Sequence, residues 1–211
     1  MKKFVLSAAL LAVFTGGMTG VVNIAQPGVA MACPSEATRS DALAARMPQV
    51  NKGDQGRHVL ALQLRLRNEG YKYLQGTGYY GSQTLRAVQD FQRRHGIRAS
   101  GIVGSKTWHA LVGKLPKLVT TNFMGKPAFG IQPGERNQYK VRLLGAMLAR
   151  VYPYYLDETH NGTYRGVYDA SMQKAVRDFQ RRAGIKASGI VGPKTWAALD
   201  EVISVSGNWG C

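Results

Sequence analysis

The chain has few of the residues on which enzymes and metal sites most often depend. It contains four histidines and two cysteines in 211 residues, and none of them lies in a His-Glu-x-x-His or similar zinc-binding pattern. Acidic residues are also scarce, with 12 Asp and Glu against 28 Lys and Arg. Asp90 and Asp178 occur at matching positions, but they resemble surface ion-pair partners rather than the placed carboxylates of a glycan-cutting site. The sequence therefore predicts no catalytic residues, no metal site, no cofactor and a protein that is not an enzyme.

Long hydrophobic runs are missing except near the N-terminus. Phe4–Phe14 is a run of 11 apolar and small residues, which is short for a bilayer span of about 20 residues. Two lysines precede it, and Ala30-Met31-Ala32 offers a cleavage site, which is the layout of a secretory signal peptide. We expect residues 1–32 to be removed and the mature protein to be secreted, without stable membrane insertion. A retained anchor and a lipoprotein modified at Cys33 are the alternatives.

The two cysteines, Cys33 and Cys211, would then be the first and last residues of the mature chain. An even number of cysteines in an exported protein is typical of a disulfide. The chain-entropy model predicts about 4–5 kcal/mol of stabilisation for so long a loop. A bridge between Cys33 and Cys211 is therefore a candidate, and two free or intermolecular thiols are the alternative.

One segment of the chain occurs twice. Residues 87–111 and 175–199 are identical at 20 of 25 positions, which indicates two copies of one folding unit. We refer to them as copy one, residues 49–114, and copy two, residues 133–203. The predicted organisation is a signal peptide over 1–32, an N-terminal segment over 33–48, copy one, a partly apolar linker over 115–132, copy two, and a C-terminal tail over 204–211.

Each copy has the pattern of three short helices joined by glycine-marked turns. In copy one, Val59, Leu62 and Leu66 lie at helical spacing in a helix predicted over 57–69. Two further helices are predicted over 82–95 and 105–112, and copy two repeats the plan with about six extra residues between its first two helices. The predicted fold class is all-α, with two tandem three-helix domains. Apolar linker residues such as Phe129 and Ile131 are expected to pack between the copies.

Basic residues dominate both copies. Copy one carries 11 basic and 3 acidic residues, and copy two carries 11 and 7. A strongly basic exported protein is attracted to polyanions, which outside a bacterium are teichoic acids, peptidoglycan carboxylates and anionic lipids. Nucleic acid fits the charge but not the export signal, so it is not an expected partner. The alternative is that the charge serves only solubility.

A turn motif of the form Gly-x-x-Gly-x-x-Thr recurs at the helix starts. It occurs at Gly78–Thr84, Gly101–Thr107 and Gly189–Thr195, whereas the fourth instance, Gly166-Val167-Tyr168-Asp169, leads to Met172. Together with Gly56, Val59, Leu62, Gln63, Leu66, Gly70 and Tyr71, this pattern resembles the peptidoglycan-binding domain found beside bacterial and phage wall hydrolases. Copy one matches throughout; copy two matches from Tyr168 to Leu199 but has Gly145 in place of Gln63.

The resemblance implies a three-helix fold that binds wall glycan or its peptide stems without cutting them. It also implies a shallow ligand groove near the Gly-x-x-Gly turns, where helix N-termini suit carboxylates. On this basis the candidate binding residues are Tyr79, Tyr80, Gln83 and Arg86 in copy one, and Tyr168 and Lys174 in copy two. Core packing is the alternative for Tyr80 and Tyr168, because both precede a turn at matching positions.

These observations predict an exported, non-catalytic protein of the cell wall that binds peptidoglycan through two modules, with teichoic acids as a second candidate ligand. Two weak sites on one polymer gain from effective concentration. One alternative is a wall hydrolase with its chemistry in the linker or in the extra loop of copy two. Another is an accessory or inhibitor subunit that holds a wall-active enzyme as its partner.

Overall fold

The computed structural model describes residues 41–113, 127–152 and 166–207, all within Cys33–Cys211, the second of the two units into which the chain divides. Within these ranges the structure is helical, with three isolated antiparallel bridges and no strand, which confirms the all-α prediction. The predicted signal peptide, Cys33, Cys211 and the extra loop of copy two lie outside the described residues. The helices are α1 Asp41–Arg46, α2 Arg57–Asn68, α3 Ser82–Arg94, α4 Ser105–Val112, α5 Gln138–Val151, α6 Ala170–Arg182 and α7 Pro193–Ser206.

Copy one contains α2, α3 and α4, and copy two contains α5, α6 and α7. Helix α1 belongs to the N-terminal segment, was not predicted, and packs against α4 with Leu43 and Ala44 buried. Each copy also has a short extended segment before its first helix. Trp108 of α4 donates its indole N–H to the Pro48 carbonyl at 2.8 Å, and Val50 pairs with Val103 in a bridge.

The segment before α5 repeats this packing in copy two, which corrects the prediction for the linker. The Trp196 indole N–H donates to the Phe129 carbonyl at 2.8 Å, the two rings meet edge to face at 5.8 Å, and Ile131 pairs with Val191. Phe129 and Ile131 therefore pack against copy two itself rather than between the copies. They occupy the positions of Pro48 and Val50 of copy one, which also pack against the tryptophan and valine of their own copy. The first part of the predicted linker, residues 115–126, lies outside the described residues.

The two copies pack directly against each other through α2 and α7. Helix α2 buries every residue from Val59 to Leu66, and α7 buries Val202, Ile203 and Val205. Leu60 and Leu64, which lie off the predicted stripe, are therefore buried as well. The sequence pattern predicted one face of α2, whereas the structure buries all of its faces between two copies.

Backbone contacts and one ion-pair cluster hold the copies together. The Arg57 N–H donates to the Ala183 carbonyl at 3.1 Å. Glu201 of α7 pairs with Arg57 at 2.8 Å and with His58 at 2.7 Å. The Asn68 side chain, at the end of α2, donates to the Ser206 carbonyl at 2.8 Å. In the described part of the chain, no helix is both long enough and apolar enough to cross a bilayer.

Candidate functional site

The turn before α3 is held in shape by one buried glutamine. Gln63 of α2 donates from its amide nitrogen to the Tyr79 carbonyl and to the Thr84 hydroxyl, both at 2.9 Å. Its amide oxygen accepts the Gly78 N–H at 2.9 Å. Gly78 has a φ of 73°, in the left-handed region that glycine adopts at little cost. The turn therefore presents the Tyr79 side chain on a rigid support.

The same bracing recurs at the turns before α4 and α7. Gln92 binds Gly101, Ile102 and Thr107, and Gln180 binds Gly189, Ile190 and Thr195 in the same manner. The threonine of the motif is thus a buried hydrogen-bond partner of the glutamine. Before α6 the glutamine and threonine are replaced by Gly145 and Met172, and the Asp169 carboxylate caps the helix by accepting the Met172 N–H at 3.1 Å.

A groove of about 260 Å³ lies beside this turn of copy one, and we name it the turn groove. Its lining includes Leu74, Gln75, Thr77, Tyr79, Ser82 and Gln83. The structure thus brings together two of the predicted residues, Tyr79, whose side chain is 49% exposed, and Gln83. Both lie at the N-terminus of α3, where backbone N–H groups and the helix dipole favour an anion.

Tyr80 and Tyr168, two other predicted binding residues, are core residues. Both are 0% exposed, and their hydroxyls donate to the carbonyls of Gly101 and Gly189, the first at 2.6 Å. Burial raises the pKa of each phenol. These tyrosines hold the first turn of each copy against its second turn, and a side chain without accessible surface cannot contact a ligand. The core alternative is the one that the structure supports.

Arg86 lines a different groove, of about 440 Å³, between the end of α2 and the outer side of α3. We name it the arginine groove and define it by Tyr71, Tyr73, Arg86, Asp90, Arg93 and Arg94. Neither Tyr71 nor Tyr73 was predicted to be a binding residue. The sequence signal that could have identified them is the pair of tyrosines in Tyr-Lys-Tyr directly after Gly70. In the structure Tyr73 is 56% exposed, and its ring meets that of Tyr71 edge to face at 6.3 Å.

A hydrogen-bonded cluster forms one wall of the arginine groove. The Tyr71 hydroxyl donates to Asp90 at 2.9 Å, Arg94 pairs with Asp90 at 2.7 Å, and the Arg94 guanidinium lies 5.7 Å from the centroid of the Tyr71 ring. Burial and the bond to Asp90 raise the pKa of Tyr71 to about 12. The bond from Tyr71, assisted by Arg94, lowers the pKa of Asp90. The cluster therefore keeps Asp90 ionised and Tyr71 protonated at neutral pH.

Lys174 is exposed on α6 at the position that corresponds to Arg86 on α3. The structure does not join it to Tyr168 in a common surface, because Tyr168 is buried. Within residues 41–113, 127–152 and 166–207, no group of three or more His, Cys, Asp or Glu is arranged to hold a metal ion. The binding role predicted for Lys174 stays a prediction.

Comparison with known proteins identifies the repeated unit. The peptidoglycan binding domain family matches the chain twice, at residues 55–111 and 137–199, which confirms the tandem organisation and the resemblance. A probable N-acetylmuramoyl-L-alanine amidase of Bacillus licheniformis is 33% identical over 71% of this chain and 44% of its own length. The N-acetylmuramoyl-L-alanine amidase CwlL of the same organism is 31% identical over 73% of this chain and 46% of its own.

A third relative, an uncharacterized protein of Kitasatospora aureofaciens, is 36% identical over 42% of this chain and 76% of its own length. The chain thus spans less than half the length of the two amidases that it matches. These amidases contradict the prediction that the chain is not an enzyme. That prediction relied on the lack of recognised catalytic motifs in this chain.

Proposed function

Because this chain belongs to the peptidoglycan-binding domain family, we propose that it acts at the bacterial cell wall in peptidoglycan hydrolysis of the N-acetylmuramoyl-L-alanine amidase type. In this proposal the two modules bind peptidoglycan and keep the hydrolytic activity on its polymeric substrate. The observation that carries the proposal is the similarity to two amidases over 71% and 73% of the chain, shares too large to lie within either module alone.

The turn groove supports a role in binding the wall polymer. Tyr79 offers an aromatic face, which suits the apolar face of a sugar ring. Gln83 offers both a donor and an acceptor beside the N-terminus of α3, which suits a carboxylate of a peptide stem. The groove is shallow and open, as a site for an extended polymer must be.

Copy one is the module better equipped for this role. It retains the Gln63 brace, the exposed Tyr79 and both grooves, whereas copy two has Gly145 and Val167 at the positions of Gln63 and Tyr79. Copy two packs against copy one through α7 and so supports α2, from which Gln63 reaches the turn. We infer that copy one contributes most of the affinity and that copy two stabilises it.

The positive charge of the chain and its predicted export signal also support a function at the wall. The chain has a net charge of +16, which favours association with the anionic polymers of the wall. Residues 1–32 have the pattern of a signal peptide, and we propose that the mature protein is secreted to the wall. Teichoic acid contributes to binding through charge, so this part of the affinity falls as salt screens it.

The test has two arms, both with the purified mature chain and purified sacculi. In the first arm, sedimentation is measured at low salt, at high salt and after removal of teichoic acids. We expect co-sedimentation that persists at high salt, because a shaped groove depends less on charge than a polyanion contact does. If the chain stays in the supernatant at every salt concentration, peptidoglycan binding is refuted.

In the second arm, the amino groups of N-terminal L-alanine released from sacculi are quantified, with the chain alone and with the chain added to a wall amidase. Release by the chain alone makes it a hydrolase, and increased release by the added amidase makes it an accessory subunit. If the chain binds sacculi but changes neither rate, the hydrolytic part of the proposal is wrong and the binding part stands.

A further inference from the structure

Copy two binds a backbone carbonyl of copy one through a tyrosine and an arginine. The Tyr152 hydroxyl donates to the Gly76 carbonyl, and Arg182 donates to the same oxygen at 2.9 Å. The Arg182 guanidinium lies 5.1 Å from the centroid of the Tyr152 ring, and its Nε pairs with Asp178 at 2.8 Å. These three side chains therefore form a receptor for a peptide carbonyl, and the molecule itself shows the receptor occupied.

Copy one contains the same three side chain types, but its Tyr71 hydroxyl donates to Asp90 at 2.9 Å, whereas the Tyr152 hydroxyl of copy two donates to the Gly76 carbonyl. Tyr71 follows its first helix, Arg94 ends its second helix, and Asp90 precedes Arg94 by one helical turn. The Arg94 guanidinium lies 5.7 Å from the Tyr71 centroid, and Arg94 pairs with Asp90 through Nε at 2.7 Å. In copy two, Nη1 of Arg182 binds the carbonyl while Nε pairs with Asp178.

The two receptors differ in what lies over them. In copy two the backbone at Gly76 fills the position so closely that a Cβ on Gly76 would lie 1.8 Å from the Tyr152 hydroxyl. In copy one the corresponding place is the arginine groove, with a volume of about 440 Å³. Arg86 and Arg93 extend the basic lining beyond Arg94, and the exposed ring of Tyr73 provides an apolar wall. The groove thus suits a peptide that carries a carboxylate near a carbonyl.

We propose that the arginine groove of copy one binds the peptide stem of peptidoglycan, with a stem carbonyl on the guanidinium of Arg94, which pairs with the Tyr71-bound Asp90, and a stem carboxylate near Arg93 or Arg86. The inference deepens the proposed function and rests on it, because it names the part of the wall polymer that this surface takes. A peptide is favoured over bare glycan since the occupied receptor of copy two holds a peptide carbonyl, and since guanidinium groups form strong hydrogen bonds with carboxylates.

The experiment uses the full mature chain and two soluble probes, a disaccharide that carries a peptide stem and the same disaccharide without it. Affinity is measured by calorimetry for the wild type, Arg94→Gln and Tyr71→Phe. Arg181→Gln is the matched control for Arg94→Gln, because each arginine pairs with an aspartate on its own helix, and the side chains of Arg181 and Arg94 are 60% and 68% exposed. The control removes one positive charge from copy two without changing the groove.

We expect the probe with a stem to bind more tightly than the probe without one. Arg94→Gln should weaken its binding about tenfold, since a charge-assisted hydrogen bond is lost. Tyr71→Phe should weaken it about threefold, because Asp90 loses the hydrogen bond that helps it to hold Arg94, and Arg181→Gln should change it less than twofold. Near-ultraviolet circular dichroism checks that each variant is folded, which the 68% exposure of the Arg94 side chain favours.

Equal affinity for the two probes, or equal losses in Arg94→Gln and Arg181→Gln, would overturn the inference. A second result would also overturn the inference. If the wild type self-associates with rising concentration and Arg94→Gln does not, while the affinity for the stem is unchanged, the groove binds a second copy of the chain. These results leave the proposed function intact as long as the wild type co-sediments with sacculi. Failure of co-sedimentation would remove both.

Discussion

The side chains of Gln63 and Thr84 are joined by a hydrogen bond of 2.9 Å in copy one, and copy two lacks both residues. Both partners are buried, and a buried polar group that loses its partner costs more than the bond itself contributes. Replacing both residues should therefore cost less than the sum of the two single replacements. Gly145 and Met172 remove both polar groups at once, and Asp169 takes over the start of the helix.

This coupling predicts a non-additive pair of substitutions in copy one. Gln63→Met should lower the free energy of unfolding by about 2–4 kcal/mol, because its four side-chain hydrogen bonds are lost, and Thr84→Val should lower it by about 1–2 kcal/mol. The double variant should be less destabilised than the sum by about 1 kcal/mol. Urea unfolding of the four proteins measures the coupling. The same pair of substitutions at Gln180 and Thr195 repeats the test at the equivalent contact of copy two. Strictly additive effects at both pairs would contradict the bracing role.

The contact between Gly78 and the Arg182 carbonyl predicts a large effect of one added methyl group. A Cβ on Gly78 would lie 2.0 Å from that oxygen, which belongs to the other copy. Gly78→Ala should therefore separate the copies locally and destabilise the protein by more than about 3 kcal/mol. Gly96→Ala is the matched control, because Gly96 has a similar positive φ of 65° with no atom within 4 Å of the added Cβ. It should cost only about 1–2 kcal/mol, and equal effects of the two variants in urea unfolding would contradict the close packing.

The cluster at Glu201 predicts a loss of stability in acid. Burial raises the pKa of Glu201, but the bonds and charges of His58 and Arg57 outweigh burial, so that its pKa is lowered. A lowered pKa stabilises the fold above the unfolded-state pKa of about 4.3, and this contribution disappears as the pH falls through the folded-state value. Glu201→Gln should therefore be less stable than the wild type at pH 7, by about 1 kcal/mol. Its difference in melting temperature should shrink between about pH 5 and pH 3. A difference that stays constant over this range would exclude the ionised cluster as its cause.

If the turn groove binds the wall polymer, replacing its exposed tyrosine should weaken binding, and replacing an exposed tyrosine elsewhere should not. Tyr79→Ser removes the aromatic face beside α3 and should reduce co-sedimentation with sacculi about fivefold or more, since aromatic contacts contribute strongly to recognition. Tyr139→Ser is the matched control, because Tyr139 is a 69% exposed tyrosine of copy two. It should bind sacculi as the wild type does. Equal binding by all three proteins would remove the turn groove from the proposed site.

Much of the fold is predictable from the sequence because its signals are local. Helical spacing of Val59, Leu62 and Leu66 places α2, and the glycine pairs of the turn motif place the starts of α3, α4 and α7. Helix α1 has six residues, which is too short for a periodic pattern, and it is held by packing against α4. The candidate site was predicted less completely, because Tyr79 and Tyr80 are neighbours in one turn and only the packing shows which of them is exposed.

By itself the sequence determined that this protein consists of two copies of a helical peptidoglycan-binding unit, because a duplication and its turn glycines are visible without coordinates. The tertiary structure decided which members of each matched pair are available to a ligand. Arg94 and Arg182 occupy the same place in the repeat, yet Arg182 binds the Gly76 backbone of the other copy and Arg94 faces an open groove. The physical reason is that two similar units packed through α2 and α7 bury different surfaces, and the packing decides which surface stays open.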